Sequence, residues 1–88
     1  MNVIFKYPLE ITQVQVVLMP AKAELLCVQK QGNTPQLWAK VNDAEPPVER
    51  IIKIYGTGHG MDANPSVYVG TIQDGPYVWH VFDDGEVK

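Results

Sequence analysis

Residues 50–70, RIIKIYGTGHGMDANPSVYVG, consist of an apolar run, a glycine-rich loop and a second apolar run. In the first run the side chains alternate, so that Ile52 and Ile54 share one face, which is typical of a β-strand. The second run, from Val67 to Gln73, reads as another strand. Glycine tolerates backbone conformations that other residues disfavour, so the stretch predicts a strand, a sharp loop and a returning strand.

Turn residues divide the rest of the chain into short segments of the same kind, with seven prolines and seven glycines at strand-and-turn spacing. The predicted strands span residues 3–7, 13–19, 24–30, 36–41, 50–55, 67–73 and 77–82. Only residues 20–24 suggest a helical turn. The chain is therefore predicted to be all-β: a small antiparallel β-sandwich or partly open barrel of about seven short strands, with at most one helical turn.

The second predicted strand has the clearest alternation in the chain. Val14, Val16 and Leu18 share one face, and Gln13 and Gln15 share the other. The pattern leaves open which of these faces packs on the core.

The length of 88 residues predicts a single β domain at 1–83 and a short flexible tail at 84–88. Domains of this size often gain stability from disulfides, metals or self-association. Cys27 is the only cysteine and lies in an apolar run, so an intrachain disulfide is excluded. His59 and His80 lack metal-ligand spacing, so neither a metal nor a cofactor is predicted. We therefore expect a homo-oligomer.

The net charge is −3 and the pI about 5.1, which argues against a protein that binds long nucleic acids. The first residues, MNVIFK, do not resemble a secretory signal. No apolar run approaches the roughly 18 residues that a membrane-spanning helix needs. These features predict a cytoplasmic protein with no membrane partner.

The glycine-rich loop, residues 56–60, is the candidate ligand site. Successive exposed amides can cradle an anion. Lys53 and Arg50 on the incoming strand supply positive charge, and Lys6 is a further candidate. Aromatic side chains can stack a base. The predicted ligand-binding residues are Arg50, Lys53, Tyr55, Gly56, Thr57, Gly58, His59, Trp38 and Trp79. The loop matches neither the dinucleotide fingerprint nor a Walker loop, so a purely structural corner is the alternative.

The last predicted strand is apolar on both faces, with Tyr77 and Trp79 on one and His80 on the other. Such a strand suits burial in the core on one side and contact with a subunit or ligand on the other. Aromatic residues in strands are also common core residues. His80 is interpreted as a hydrogen-bonded structural histidine. Since no nucleophile signature links the polar residues, we expect no enzymatic activity.

Five segments carry a further pattern: VIFKYPLEIT at 3–12, QLWAKV at 36–41, IYGTGH at 54–59, YVGTIQ at 68–73 and VWHVF at 78–82. Together they resemble a family of short proteins encoded by tailed bacteriophages, most of which have no assigned function. The resemblance extends from Val3 to Phe82 and is most specific in YGTGH and YVGT.

Phages encode small oligomeric sponge proteins that capture the nucleotide signals of bacterial immunity, such as cyclic dinucleotides. The chain looks like such a protein in its small size and in its predicted cytoplasmic location, lack of catalysis and self-association. The resemblance therefore implies a non-catalytic protein of the host cytoplasm that sequesters a small anionic nucleotide signal. The alternative is a small β interaction module that binds a host or phage protein through its aromatic residues.

Overall fold

The computed structural model describes residues 1–62 and 66–87, and the regular structure there is entirely β-strand. The strands are β1 (Asn2–Pro8), β2 (Val14–Pro20), β3 (Glu24–Gln31), β4 (Thr34–Asn42), β5 (Pro47–Gly56), β6 (Val67–Asp74) and β7 (Tyr77–Glu86). All seven predicted strands are present, which confirms the all-β prediction. No helix in this part of the chain is long and apolar enough to span a bilayer.

The strands form two antiparallel sheets, ordered β1-β4-β3 and β2-β5-β7-β6. Tight hairpins join β3 to β4 and β6 to β7, with Gly32 and Gly75 at φ 63° and 58°. Residues 20–24 form a strand end and a turn, in which Lys22 has a φ of 65°. The described strands do not close into a barrel, so the fold is a small sandwich.

The core lies between the inner faces of the two sheets. Its buried members are Leu9, Met19, Ala23, Val28, Leu37, Ala39, Val41, Ile52, Ile54, Ile72 and Val81. Strands β3 and β6 approach closely where Gly70 lies against Val28. A Cβ at position 70 would be 2.9 Å from Val28 Cγ1, so only glycine lets the two strands come this near.

Strand β7 extends to Glu86, four residues beyond its predicted end at Phe82. Glu86 pairs with Arg50 across a bulge, and the Val87 N–H donates to the Glu49 carbonyl at 2.8 Å. The structure thus places residues 84–86 in a strand, where the sequence predicted a flexible tail. Lys88 lies outside the described residues.

In β2 the apolar face of the clearest alternation points outward. Val14, Val16 and Leu18 are 52%, 50% and 64% exposed, whereas Met19 is buried on the opposite face. Gln15 also lies on the inner side, opposite Ile52. Its amide is satisfied by the preceding loop, because it donates to the Glu10 carbonyl at 2.6 Å and accepts from the Glu10 N–H at 3.1 Å.

Candidate ligand-binding site

The candidate loop is a tight turn at the end of β5, closed by a 3.1 Å hydrogen bond from the His59 N–H to the Gly56 carbonyl. The His59 ring folds back over Gly56. A Cβ on Gly56 would be 2.8 Å from two atoms of that ring and 3.1 Å from Trp79 Cζ3. Gly58 has a φ of 87°, which side chains rarely adopt. The turn therefore requires glycine at 56 for space and at 58 for conformation.

Two open cavities lie on either side of this turn. The first has a volume of about 180 Å³ and includes Thr12 and Tyr55 in its lining. The second has a volume of about 310 Å³ and includes Thr57 and Tyr77. Gly56, His59 and Trp79 line both cavities. We call the group Gly56, Thr57, His59, Tyr77 and Trp79 the aromatic corner.

Strand β7 supplies the flat surfaces of the aromatic corner. Tyr77 and Trp79 lie on one face of the strand because side chains two residues apart point the same way. Their rings are stacked, with centroids 5.9 Å apart and planes at 23°. The His59 ring is tilted at 60° to that of Trp79 at 6.5 Å. Tyr77 is 61% exposed, so its ring is accessible to a ligand.

The indole N–H of Trp79 is buried and lacks a hydrogen-bond partner among the described residues. A buried donor without a partner costs free energy, roughly 1–3 kcal/mol. An acceptor brought in by water or by a ligand would remove that cost.

A chain of hydrogen bonds holds the turn from the outer face of the larger sheet. Thr57 Oγ1 is 2.8 Å from His80 Nε2, and His80 Nδ1 is 3.1 Å from Thr71 Oγ1. The Thr71 hydroxyl in turn lies 2.5 Å from the Tyr68 hydroxyl. Both ring nitrogens of His80 therefore have hydrogen-bond partners. Thr71 and Tyr68 were missed, because cross-strand register is needed to place them beside it.

Arg50 lies away from the aromatic corner, at the other end of β5. Its side chain donates to both Asp83 carboxylate oxygens, at 2.9 and 2.6 Å, and to the Ala23 carbonyl at 3.0 Å. Glu86 is a further anion at 3.8 Å. The hydrogen bond to Asp83 raises the pKa of Arg50. Its charge is committed to holding β5 and β7 together.

Lys53 is also engaged by carboxylates. Its ammonium is 2.6 Å from Asp62 and 3.3 Å from Asp84, and Ser66 donates a 2.6 Å hydrogen bond to Asp84. The hydrogen bond to Asp62 raises the pKa of Lys53, and that from Ser66 lowers the pKa of Asp84. Lys53 thus ties the segment after the turn to the outer face of the sheet.

The remaining predicted residues lie outside the aromatic corner. Trp38 is on β4 of the smaller sheet, between Lys6 and Cys27 in the strand register. Lys6 donates to the Gln31 side chain at 2.6 Å. Tyr55 is buried beneath Phe82, with ring centroids 5.8 Å apart.

The predicted site is therefore brought together only in part. Gly56, Thr57, His59 and Trp79 meet at the corner, with Gly58 in the turn between them. Tyr77 completes the group and could have been added from its two-residue spacing to Trp79. In the part of the chain that the structure describes, neither cavity is lined by a Lys or Arg side chain. The corner is aromatic and polar, without a permanent cation.

Comparison of the chain with curated proteins finds no match, and comparison with solved structures finds none either. One family model matches residues 1–88, which is the full length of the sequence. The chain belongs to that family, which is described as a domain of unknown function, DUF7352.

Proposed function

We propose that this protein is a non-catalytic binding module and that its aromatic corner holds the base of a small nucleotide-like ligand. The stacked pair Tyr77 and Trp79 beside the cavity of about 310 Å³ carries the proposal. A base stacked on an aromatic side chain gains about 1–3 kcal/mol. Thr57 and His59 line the same cavity, and the His59 ring can hydrogen-bond the edge of a base.

The charged residues indicate which part of the ligand the protein recognises. Arg50 and Lys53, the predicted phosphate partners, are each paired with carboxylates, and the net charge is −3. A phosphate at the turn would be met by backbone amides and not by a Lys or Arg of the described cavity linings. Base recognition therefore supplies most of the affinity. The nucleotide sequestration implied by the phage-family resemblance is proposed in this narrower form.

Thermal shift and isothermal titration calorimetry with matched ligands test the proposal. The panel contains adenosine, guanosine, cytidine and uridine, their monophosphates, and cyclic di-AMP and cyclic di-GMP. A ligand at a hundredfold excess over its Kd stabilises the native state by about 2.7 kcal/mol, which raises Tm. We expect at least one nucleoside to bind, with an affinity close to that of its nucleotide.

Salt dependence is the control for the mode of binding. Screening weakens contacts between exposed charges but leaves base stacking largely unchanged. The affinity should therefore differ little between low and physiological salt. Binding that requires a phosphate and falls steeply with salt would contradict base recognition.

A further inference from the structure

We propose that β2 pairs with β2 of a second copy of this chain, in antiparallel orientation about a twofold axis at Val16. This pairing joins two four-stranded sheets, each ordered β2-β5-β7-β6, into one continuous sheet. The surface involved is a sheet edge and not the aromatic corner, so the inference is independent of the proposed ligand.

The backbone of β2 presents unpaired hydrogen-bonding groups along its free edge. Gln13 accepts from the Ile54 N–H at 3.1 Å, and Ala21 donates to the Pro46 carbonyl at 2.9 Å. The backbone polar groups of successive residues point to opposite sides of a strand. Since those of Gln13 and Ala21 point towards β5, the backbone groups of all odd positions in β2 do so. The even positions therefore face away from β5.

Val14, Val16 and Leu18 occupy those even positions. Within the described ranges the N–H groups of these three residues have no hydrogen-bond partner. Among their carbonyl groups, only that of Val14 accepts a hydrogen bond, which comes from the Thr12 hydroxyl at 3.2 Å. Their side chains are also the exposed apolar ones of β2. The free edge therefore combines available backbone groups with an unpartnered apolar strip.

The absence of charged residues in β2 indicates which strand pairs with its free edge. Natural edge strands are commonly protected by charged residues, as β1 is by Lys6. Among the strands that the structure describes, β2 alone has no charged residue. An uncharged edge is best matched by an uncharged strand of equal length. Within this chain that strand is β2 itself, which a second copy supplies.

Hydrogen bonding and side-chain pairing select the register. With the axis at Val16, that residue faces itself and Val14 faces Leu18 of the second copy. Each pair exchanges N–H···O bonds in both directions, because none of these residues is proline. An axis at Val17 would instead place Val14 opposite Pro20, which has no N–H.

The proposed contact between the two copies is small. A strand of seven residues is about 24 Å long, so two paired strands bury less than the roughly 1,200 Å² of stable interfaces. We therefore expect a weak dimer whose population rises with protein concentration.

Light scattering and sedimentation over a range of micromolar concentrations test the dimer. The mass of the wild-type protein should rise from 9.8 kDa towards twice that value. Val16→Lys should remain at 9.8 kDa, since it places like charges at the centre of the pairing. The matched control is Ile4→Lys, which changes a 62% exposed residue on the β1 edge and should leave the dimer unchanged. Thermal unfolding verifies that both variants fold.

Cross-linking tests the register. In a Cys27→Ala background, Val16→Cys should form a disulfide-linked dimer under mild oxidation. Hydrogen-bonded antiparallel pairs have Cα atoms about 5.5 Å apart, which is within the disulfide range. Ile4→Cys in the same background should stay monomeric on a non-reducing gel. A wild-type protein that is monomeric throughout, or a Val16→Lys dimer as strong as the wild type, would overturn the proposal.

Discussion

Arg50 and Asp83 form a bidentate ion pair that joins the two central strands of the larger sheet. Arg50 Nε donates to Asp83 Oδ1 at 2.9 Å and Nη2 donates to Oδ2 at 2.6 Å. Oδ1 also accepts from the Gly85 N–H at 2.8 Å. Only 13% and 12% of the two side chains are exposed. The pair therefore contributes to the stability of the fold.

Asp83→Asn should destabilise the protein by about 3 kcal/mol, because it removes the nearest counterion of a largely buried guanidinium. Urea denaturation measures the change in the free energy of unfolding. Asp74→Asn is the matched control, since its ion pair with Lys30 is much more exposed and should contribute at most about 1 kcal/mol. Equal losses in the two variants would rule out a structural role specific to Asp83.

The same pair predicts acid sensitivity. Burial by itself raises the pKa of Asp83, but hydrogen bonds from Arg50 and Gly85 outweigh it and hold that pKa below its ordinary value. A carboxyl group whose pKa is lowered by folding stabilises the native state above its unfolded pKa, about 3.9. This contribution is lost as the pH falls through the folded pKa. Unfolding free energies measured from neutral pH to below about pH 4 should fall less steeply in Asp83→Asn than in the wild type.

Gly70→Ala should lower the free energy of unfolding by about 1–3 kcal/mol, because the added methyl group meets Val28 between β3 and β6. Chemical denaturation measures the loss. Gly60→Ala is the control, since a Cβ there meets no atom within 4 Å and should change stability by about 0.5 kcal/mol or less. If Gly70→Ala were equally neutral, the close approach of the two strands would not hold in solution.

Gly56→Ala should displace the His59 ring from its place over the turn, because the new methyl group would overlap two atoms of that ring. NMR spectra of the His59 and Trp79 side chains report the movement directly. The signals of both side chains should shift much further in Gly56→Ala than in Gly60→Ala. Unchanged spectra in Gly56→Ala would mean that His59 does not pack on the turn.

The strands could be predicted from the sequence because alternation and turn residues are local signals. The face of β2 that packs on the core could not be predicted in this way. Val14, Val16 and Leu18 form the more apolar face, yet Gln15 faces inward because the Glu10 backbone satisfies its amide. That contact depends on how the preceding loop folds, which alternation does not specify.

The corner was predictable to the extent that its residues are neighbours in sequence. Gly56 and His59 lie in one turn, and the shared face of Tyr77 and Trp79 follows from strand periodicity. The carboxylates that pair with the two cations lie on other segments of the chain. Arg50 pairs with a residue 33 positions later, and Lys53 with carboxylates on two separate segments, so only the fold shows that both charges are committed.

The most direct test of base binding at the aromatic corner is calorimetric titration of the four nucleosides into Tyr77→Ala and into a matched control. Phe5→Ala is that control, since Phe5 is a 43% exposed aromatic residue on the other sheet. We predict that a nucleoside which binds the wild type binds Tyr77→Ala about tenfold more weakly, as expected for the loss of one stacking surface. Phe5→Ala should keep the wild-type affinity. If no nucleoside binds the wild type, or if Tyr77→Ala binds as tightly as the wild type, the aromatic corner is not a base-binding site.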